Sequence, residues 1–517
     1  MMSGGKFAEI FWNKASWRLC ALLLVIDLGI RLIAINRPLI DAHDIRQCHT
    51  AILTRNLIAD GFPPIKTRGD WNGFEDGTVV LELPVMNHIA GRLLPITHSL
   101  EASGRLVAIA FSAAAFWLFY WLCLQSLSWQ VARWAALAFA FSPLGIFFGQ
   151  SFQPEAEMLC LNLAVLCAFW KWRETEKHRW LAVFIFALSL GITIKLNEIS
   201  HLVFPVAALG FAKWGPRFLL KWQMWLTGAV CGSVTVAWSR VITHFNSISF
   251  PDWSASANLK TFIGALSDRF HAYYYLKLAG YMGGLGITPV LCVFFVGGLM
   301  WAWRKRDVLY LSWGAGILFF YLLWGPGGPV VHSYYHLVTL PWFCVLAAMG
   351  LDRATSEGGW LAGRRVLGAL IFSAWIVFYA GALANLYFPD RTAYNAGRAV
   401  AELHPAASEG LILAADHRKA SSGWPLYPTI FFYSGMKGYN LPVNDRNAKL
   451  ATMIADHPEM RWALQTRFLP QSDVPLRSKV AIFSRTPVAQ PPLDDELEKL
   501  GFEKVADGAD FAVFHRP

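Results

Sequence analysis

The chain has 517 residues, 55% of them hydrophobic and only 15% charged, with a mean hydropathy of +0.38. A soluble domain carries about a quarter charged residues, so a purely water-solvated globule is excluded and the bilayer is the main solvent. The net charge of +10 would suit nucleic acid in a soluble protein, but here the basic residues gather in short loops between apolar runs, which is a signature of topology.

The first apolar run, near residues 19–35, is too long for the core of a signal peptide and lacks a small-residue cleavage site, so it reads as a retained signal anchor. Further apolar runs place about eleven helices near residues 17–36, 104–125, 129–148, 155–171, 179–194, 199–213, 219–240, 283–303, 308–324, 336–352 and 366–388. One set of alternate connections holds Lys6, Lys14 and Arg18; Lys171, Arg173, Lys177 and Arg179; Lys213, Arg217 and Lys221; Arg304, Lys305 and Arg306; and Arg353, Arg364 and Arg365. The other set includes residues 149–157 and 325–335, which contain no Lys or Arg. By the positive-inside rule the N-terminus is cytoplasmic, and an odd number of spans puts the C-terminus outside. Seven of the eight Cys lie in apolar runs and only Cys48 in a polar loop, so no disulfide framework is implied.

Two outside loops are long, 37–103 and 241–282. Residues 44–60 read as a short helix stopped by Gly61 and the Pro63-Pro64 pair, and residues 82–94 as an amphipathic helix ending at Pro95. Residues 257–278 carry apolar side chains at helical spacing and the run Tyr273-Tyr274-Tyr275, which suits a segment in the interface plane. From about Asp390 charges of both signs return. Residues 411–415, 480–483 and 511–514 read as buried strands, and 391–403 and 494–500 as helices, which together make a small α/β domain facing outward. The expected domains are therefore 1–389, a transmembrane domain with juxtamembrane helices in loop 37–103, and 390–517, a soluble extracytoplasmic domain.

The segment after the first span, Pro38-Leu39-Ile40-Asp41-Ala42-His43-Asp44-Ile45-Arg46-Gln47, places two carboxylates and an imidazole at the membrane surface. A transferase that attacks an anomeric carbon needs a base to take the acceptor's hydroxyl proton. Asp44 or Asp41 suits this, with His43 tuning either one or binding acceptor. The structural alternative is that Asp44 caps the following helix, with Gln47 in the capping-box position.

At these residues the chain resembles the GT-C glycosyltransferases, and among them the protein O-mannosyltransferases and lipid A aminoarabinose transferases. Asp44-x-Arg46 after the first span is similar to that family's acidic motif, although the family often has Asp-Glu where this chain has His43-Asp44. Glu82-Leu83-Pro84 resembles its Pro-rich second juxtamembrane helix, and Arg105 its recurrent Arg. Ser142-Pro143 with Gln153-Pro154-Glu155, then Gly191-Ile192-Thr193-Ile194-Lys195, then His332-x-Tyr334-Tyr335, follow in the family's order. The resemblance covers roughly residues 17–350. It implies a GT-C membrane domain, a polyprenyl-phosphate-linked sugar donor, and a glycan, lipid or protein acceptor.

A leaving lipid phosphate gains charge in the transition state and needs cationic or hydrogen-bonding groups. On the outer face Lys195 is out of place under the positive-inside rule; it either contacts phosphate or snorkels from a helix end. His332, Tyr334, Tyr335 and His336 follow the rigid stretch Gly325-Pro326-Gly327-Gly328-Pro329 and serve either phosphate contact or an aromatic belt. Arg46, Arg55, Arg68 and Arg105 are further cations, with Arg105 favoured. Glu155 and Glu157 suit a helix N-terminus, while the resemblance puts Glu155 beside the donor sugar or a metal. No metal-ligand set stands out at typical spacing, and a divalent ion stays open as a cofactor. Trp71, Trp253 and residues 273–275 offer aromatic faces for sugars or for interface anchoring.

The expectation is thus a polytopic α-helical membrane protein of GT-C type with a small C-terminal α/β extracytoplasmic domain. Its activity would be an inverting glycosyltransferase in a bacterial inner membrane, with Asp44 or Asp41 as base. Donor and acceptor would be bound by His43, Arg46, Glu82, Arg105, Glu155, Lys195, His332, Tyr334 and Tyr335. The alternative is a transporter or flippase. It is disfavoured because transport generally needs charged or polar groups near mid-membrane, whereas the spans hold few there and the polar groups gather at one face.

Overall fold

A computed structural model describes residues 14–33, 35–71, 73–249, 254–387, 391–414, 428–441, 446–466, 493–509 and 511–517. The expected strand 480–483, Trp253 and Lys6 lie outside them. The chain divides into two compact units, Met1–Asn36 with Leu81–His244 and Asp252–Ala384, and Arg37–Val80 with Phe245–Pro251 and Asn385–Pro517.

The first unit is helical because a backbone in hydrocarbon must satisfy its own hydrogen bonds. Its helices are α1 (Lys14–Leu32), then, past α2 of the other unit (Asp44–Ala59), α3 (Val85–Thr97), α4 (Leu100–Ser126), α5 (Trp129–Ala140), α6 (Pro143–Phe148), α7 (Glu155–Thr175), α8 (His178–Ile199), α9 (Val203–Trp214), α10 (Trp222–Ser249), α11 (Ala255–Ile263), α12 (Ala272–Tyr281), α13 (Thr288–Lys305), α14 (Val308–Trp324), α15 (Leu340–Thr355) and α16 (Arg365–Tyr387). Starts are set by side-chain caps: Ser99, Ser128 and Ser142 accept from Ala102, Val131 and Gly145 N–H, and Asp307 from Tyr310 N–H.

The expected apolar runs are helical over most of their described residues. Among the described residues three helical stretches, Leu100–Ser126, His178–Leu220 and Val366–Ala384, are by themselves long and apolar enough to cross a membrane. The pair Ala272–Gly286 and Thr288–Lys305, bent by 108°, adds a fourth if it is one broken span. The run expected at 129–148 is not one helix. Pro143 cannot continue the backbone ladder, and Ser142 caps a new helix there. The helix expected at 82–94 begins at Val85 and runs through Pro95 to Thr97, since a proline this close to the end costs little of the ladder. The segment 257–278 is broken into α11, a 3₁₀ turn at Leu266–Phe270, and α12.

The second unit combines the loop helix α2 with a sheet that has five strands among the described residues. Here α17 (Thr392–Glu402), β1 (Leu411–Ala414), α18 (Pro428–Ser434), β2 (Gly438–Asn440), α19 (Arg446–Asp456), β3 (Trp462–Thr466), α20 (Asp494–Lys499), β4 (Glu503–Asp507) and β5 (Phe511–His515) follow in order. The strand order is β2-β1-β3-β5-β4. β2, β1 and β3 are parallel, while β5 runs antiparallel to both β3 and β4. Ile412, Ala463 and Phe514 pair across one face and pack on Leu450 and Ile454 of α19 and Leu497 of α20. The loop chain is tied into this unit: Gly438 N–H donates to Asp70 O and Gly73 N–H to Gly438 O, both at 2.9 Å.

Candidate active site

The expected site residues fall into two groups, one in each unit. In the second unit α2 opens at Asp44, but its N-cap is His43, held at φ 60°, and not Asp44. Gln47 donates to Asp41 Oδ1 at 2.7 Å and to Ala42 O at 3.3 Å. Asp44 Oδ2 accepts from Thr429 Oγ1 of α18 at 3.0 Å, and Leu39 N–H donates to Tyr433 Oη at 2.6 Å. Both carboxylates are buried, each 5% exposed, while His43 and Arg46 are half-buried. Thr429, distant in sequence, had no signal that the chain pattern could show.

Beside them, Arg46 Nη1 lies 3.3 Å from His49 Nδ1. A guanidinium only donates, so Nδ1 accepts and the His49 proton sits on Nε2. Burial, with Arg46 adjacent, pushes this imidazole down to about 3, and it stays neutral. Its ring meets Trp71 edge-on at 4.8 Å. Trp71 is therefore buried packing, 4% exposed, and not an open sugar platform. Arg68 forms a two-pronged pair with Asp60 at 2.6 Å, and Arg55 pairs with Asp70; neither is merely solvated.

In the first unit, α7 begins at Glu155, and α8 is broken at Lys195, whose backbone leaves the helix at φ −150°, ψ 88°. The break turns the Lys195 ammonium onto Glu155 Oε1 and, at 3.0 Å, onto Glu198 Oε1. It also lies over the rings of Tyr334 (5.1 Å) and Tyr335 (4.8 Å). His332 stacks on Tyr334 at 5.0 Å and 10°. Leu83 N–H donates to Thr193 O at 3.0 Å, which fixes Glu82 to this helix, and Glu82 acts electrostatically on Lys195, Glu157 and Glu198. Lys195, Glu155, Glu82, His332, Tyr334 and Tyr335 are thus brought together, with Glu198 added. Sequence reading missed Glu198 because it fell between two apolar runs. Arg105 is fully buried in α4. His336, the neighbour of this group, is a packing residue: Nε2–H donates to Pro329 O at 3.0 Å, and Nδ1 accepts from Tyr321 Oη at 2.8 Å.

The group is rich in unmatched polar atoms. Both amide atoms of Gln153, and one carboxylate oxygen each of Glu155, Glu157 and Glu198, are buried with no hydrogen-bond partner among the described residues. Buried polar atoms in native proteins are nearly always matched. This set is suited to a ligand dense in hydroxyls. Among the described residues no cluster has the geometry of a metal site.

Asp27 and Arg31 of α1 form a fully buried two-pronged ion pair at 2.8 Å. Window averages over Leu and Phe hide charges that pair with one another.

The fold is of GT-C type, as its superposition on solved structures shows. Residues 82–240 match the dolichyl-phosphate-mannose-protein mannosyltransferase family. ArnT from Cupriavidus metallidurans bound to undecaprenyl phosphate superposes with a TM-score of 0.61 over 97% of this chain and 98% of its own, at 14% identity. The oligosaccharyltransferase AglB from Archaeoglobus fulgidus, in complex with an inhibitory peptide and a dolichol-phosphate, gives 0.55 over 88% and 70%, also at 14% identity. No curated protein matches the chain in sequence.

Proposed function

We propose that this chain is an inverting glycosyltransferase that moves a sugar from a polyprenyl-phosphate carrier to a hydroxyl acceptor. The observation that carries this reading is the fold shared along nearly the whole chain with an enzyme whose structure holds undecaprenyl phosphate. Supporting it are the unmatched buried polar atoms of Gln153, Glu155, Glu157 and Glu198. In this reading Asp44, or Asp41, accepts the proton of the acceptor hydroxyl as its oxygen bonds to C1. The C1–O bond to phosphate breaks, and the lipid phosphate leaves with that electron pair. One displacement inverts the anomeric centre. His43 and Arg46 serve the acceptor side. Lys195, with Glu82, Arg105, Glu155, His332, Tyr334 and Tyr335, serves the donor. Lys195 gives two of its three N–H donors to Glu155 and Glu198, which leaves one for the phosphate.

The same reading places the protein in a bacterial inner membrane with the C-terminal unit outside, and the unit around α2 and α18 handles the acceptor. The test is release of radiolabelled sugar from polyprenyl phosphate by purified protein. A general base contributes typically 10²–10⁴-fold, so Asp44→Asn, correctly inserted, is expected to lose activity on that scale. Unchanged turnover in both Asp44→Asn and Asp41→Asn would remove the base assignment. Transport of the intact lipid-linked sugar without cleavage would replace the enzymatic reading with a flippase.

A further inference from the structure

The basic end of the helical unit carries cations held over indole rings. Arg173 lies 4.2 Å from the Trp170 ring centre, Arg179 5.4 Å from Trp180, and Arg133 4.8 Å from Trp129. Two of these sites have a pair of cations on one ring, and their contrast is informative. Lys213 and Lys221 share Trp214 at 4.8 and 4.5 Å, and Glu176 neutralises both at 3.3 and 2.9 Å. Lys305 and Arg353 share Trp301 at 4.9 and 4.5 Å. Among the described residues no carboxylate forms an ion pair with either of them.

Asp307 accepts from Tyr310 N–H as the cap of α14, and Asp352 feels the charge of Arg133. Arg304 and Arg306 add exposed positive charge. The pairing itself is built by a close helix crossing. A side chain at Gly298 of α13 would strike Leu346 O, and one at Gly350 of α15 would strike Phe294 O. Bare backbone at this level brings Trp301 and Arg353, each one helical turn further on, side by side. Trp303 (73% exposed) and Met300 (52%) give the same helix end an apolar surface.

We propose that Lys305, Arg353 and Trp301 form a binding site for the phosphate of an anionic phospholipid in the adjoining leaflet. Two like charges on one ring repel, and an anion between them takes the place that Glu176 fills at Trp214. The apolar flank of Trp303 and Met300 selects a lipid over a free anion. Juxtamembrane cations attract anionic lipid, and an indole face stabilises a cation that has lost some of its water.

The experiment is native mass spectrometry of the purified full chain in detergent with phosphatidylglycerol, phosphatidylcholine or inorganic phosphate. Phosphatidylglycerol is expected to be retained over phosphatidylcholine. The double substitution Lys305→Gln with Arg353→Gln should weaken that retention roughly 30-fold. Arg217→Gln with Arg364→Gln removes the same net charge elsewhere and should leave it unchanged. Equal retention of the two lipids by the unaltered chain overturns the proposal without recourse to any variant. So does equal loss in both double variants, which would reduce the effect to net charge, or displacement of the lipid by equimolar inorganic phosphate.

Discussion

Replacing Arg31 by Met tests whether the first helix is locked to the broken α6 by charge. In the native chain Arg31 gives two bonds of 2.8 Å to Asp27 and one of 2.6 Å to Gly145 O, with Ile146 O at 3.3 Å. Both carbonyls belong to α6; Gly145 O also accepts from Gly149 N–H at 3.0 Å, so Arg31 is its second donor, and Gly149 leaves the room that the guanidinium occupies. Arg31→Met strands a carboxylate that is 1% exposed. Removing one partner of a buried pair costs about 3–5 kcal/mol, and losing the donor to buried carbonyls about 1–3 more. The terms overlap, so roughly 4–6 kcal/mol is expected, a fall in melting midpoint of roughly 5–10 °C. Scanning fluorimetry in detergent, read on the tryptophans, measures it. Arg31→Met combined with Asp27→Leu removes the stranded charge and should recover most of the loss, leaving only the carbonyl term of about 1–3 kcal/mol. If the single variant melts with the wild type, or the double variant melts below the single, the lock is not electrostatic.

Three further outcomes follow from named contacts. His49 is neutral when folded, at about 3, against an ordinary value near 6.5. The unfolded chain therefore binds its proton first as pH falls. The contribution is complete above about pH 6.5 and is lost progressively toward pH 3, at up to about 1.4 kcal/mol per pH unit; melting curves of His49→Asn should be flatter than wild type across that window. Lys195→Met leaves Glu155 and Glu198 buried without their cation, which should lower the melting midpoint and abolish transfer. Adding Glu155→Gln should restore part of the stability and none of the activity, and a single variant as stable as wild type would contradict the ion-pair geometry. Gly298→Ala puts a methyl against Leu346 O, and overpacking of this kind costs typically 1–3 kcal/mol; an unchanged melting midpoint would mean that α13 and α15 do not cross so closely.

The sequence by itself determined the solvent and most of the helices, and its ordered motifs carried a resemblance that implied the GT-C fold. Apolar runs long enough to be helical in hydrocarbon cannot be anything else, and the return of mixed charges after Asp390 marked the sheet-bearing region through its short buried strands at 411 and 511. The acidic loop after the first span was legible because such chemistry is uncommon directly after a membrane helix. What tertiary structure alone decided was pairing. That Asp44 receives Thr429, that Lys195 is claimed by Glu155 and Glu198, and that Arg31 is spent on Asp27 and α6 are contacts between residues far apart in the chain or hidden within apolar averages. Local periodicity reports which face of a helix is apolar, but a buried charge is tolerated only when a partner arrives from elsewhere, and that arrival is a property of the packed fold.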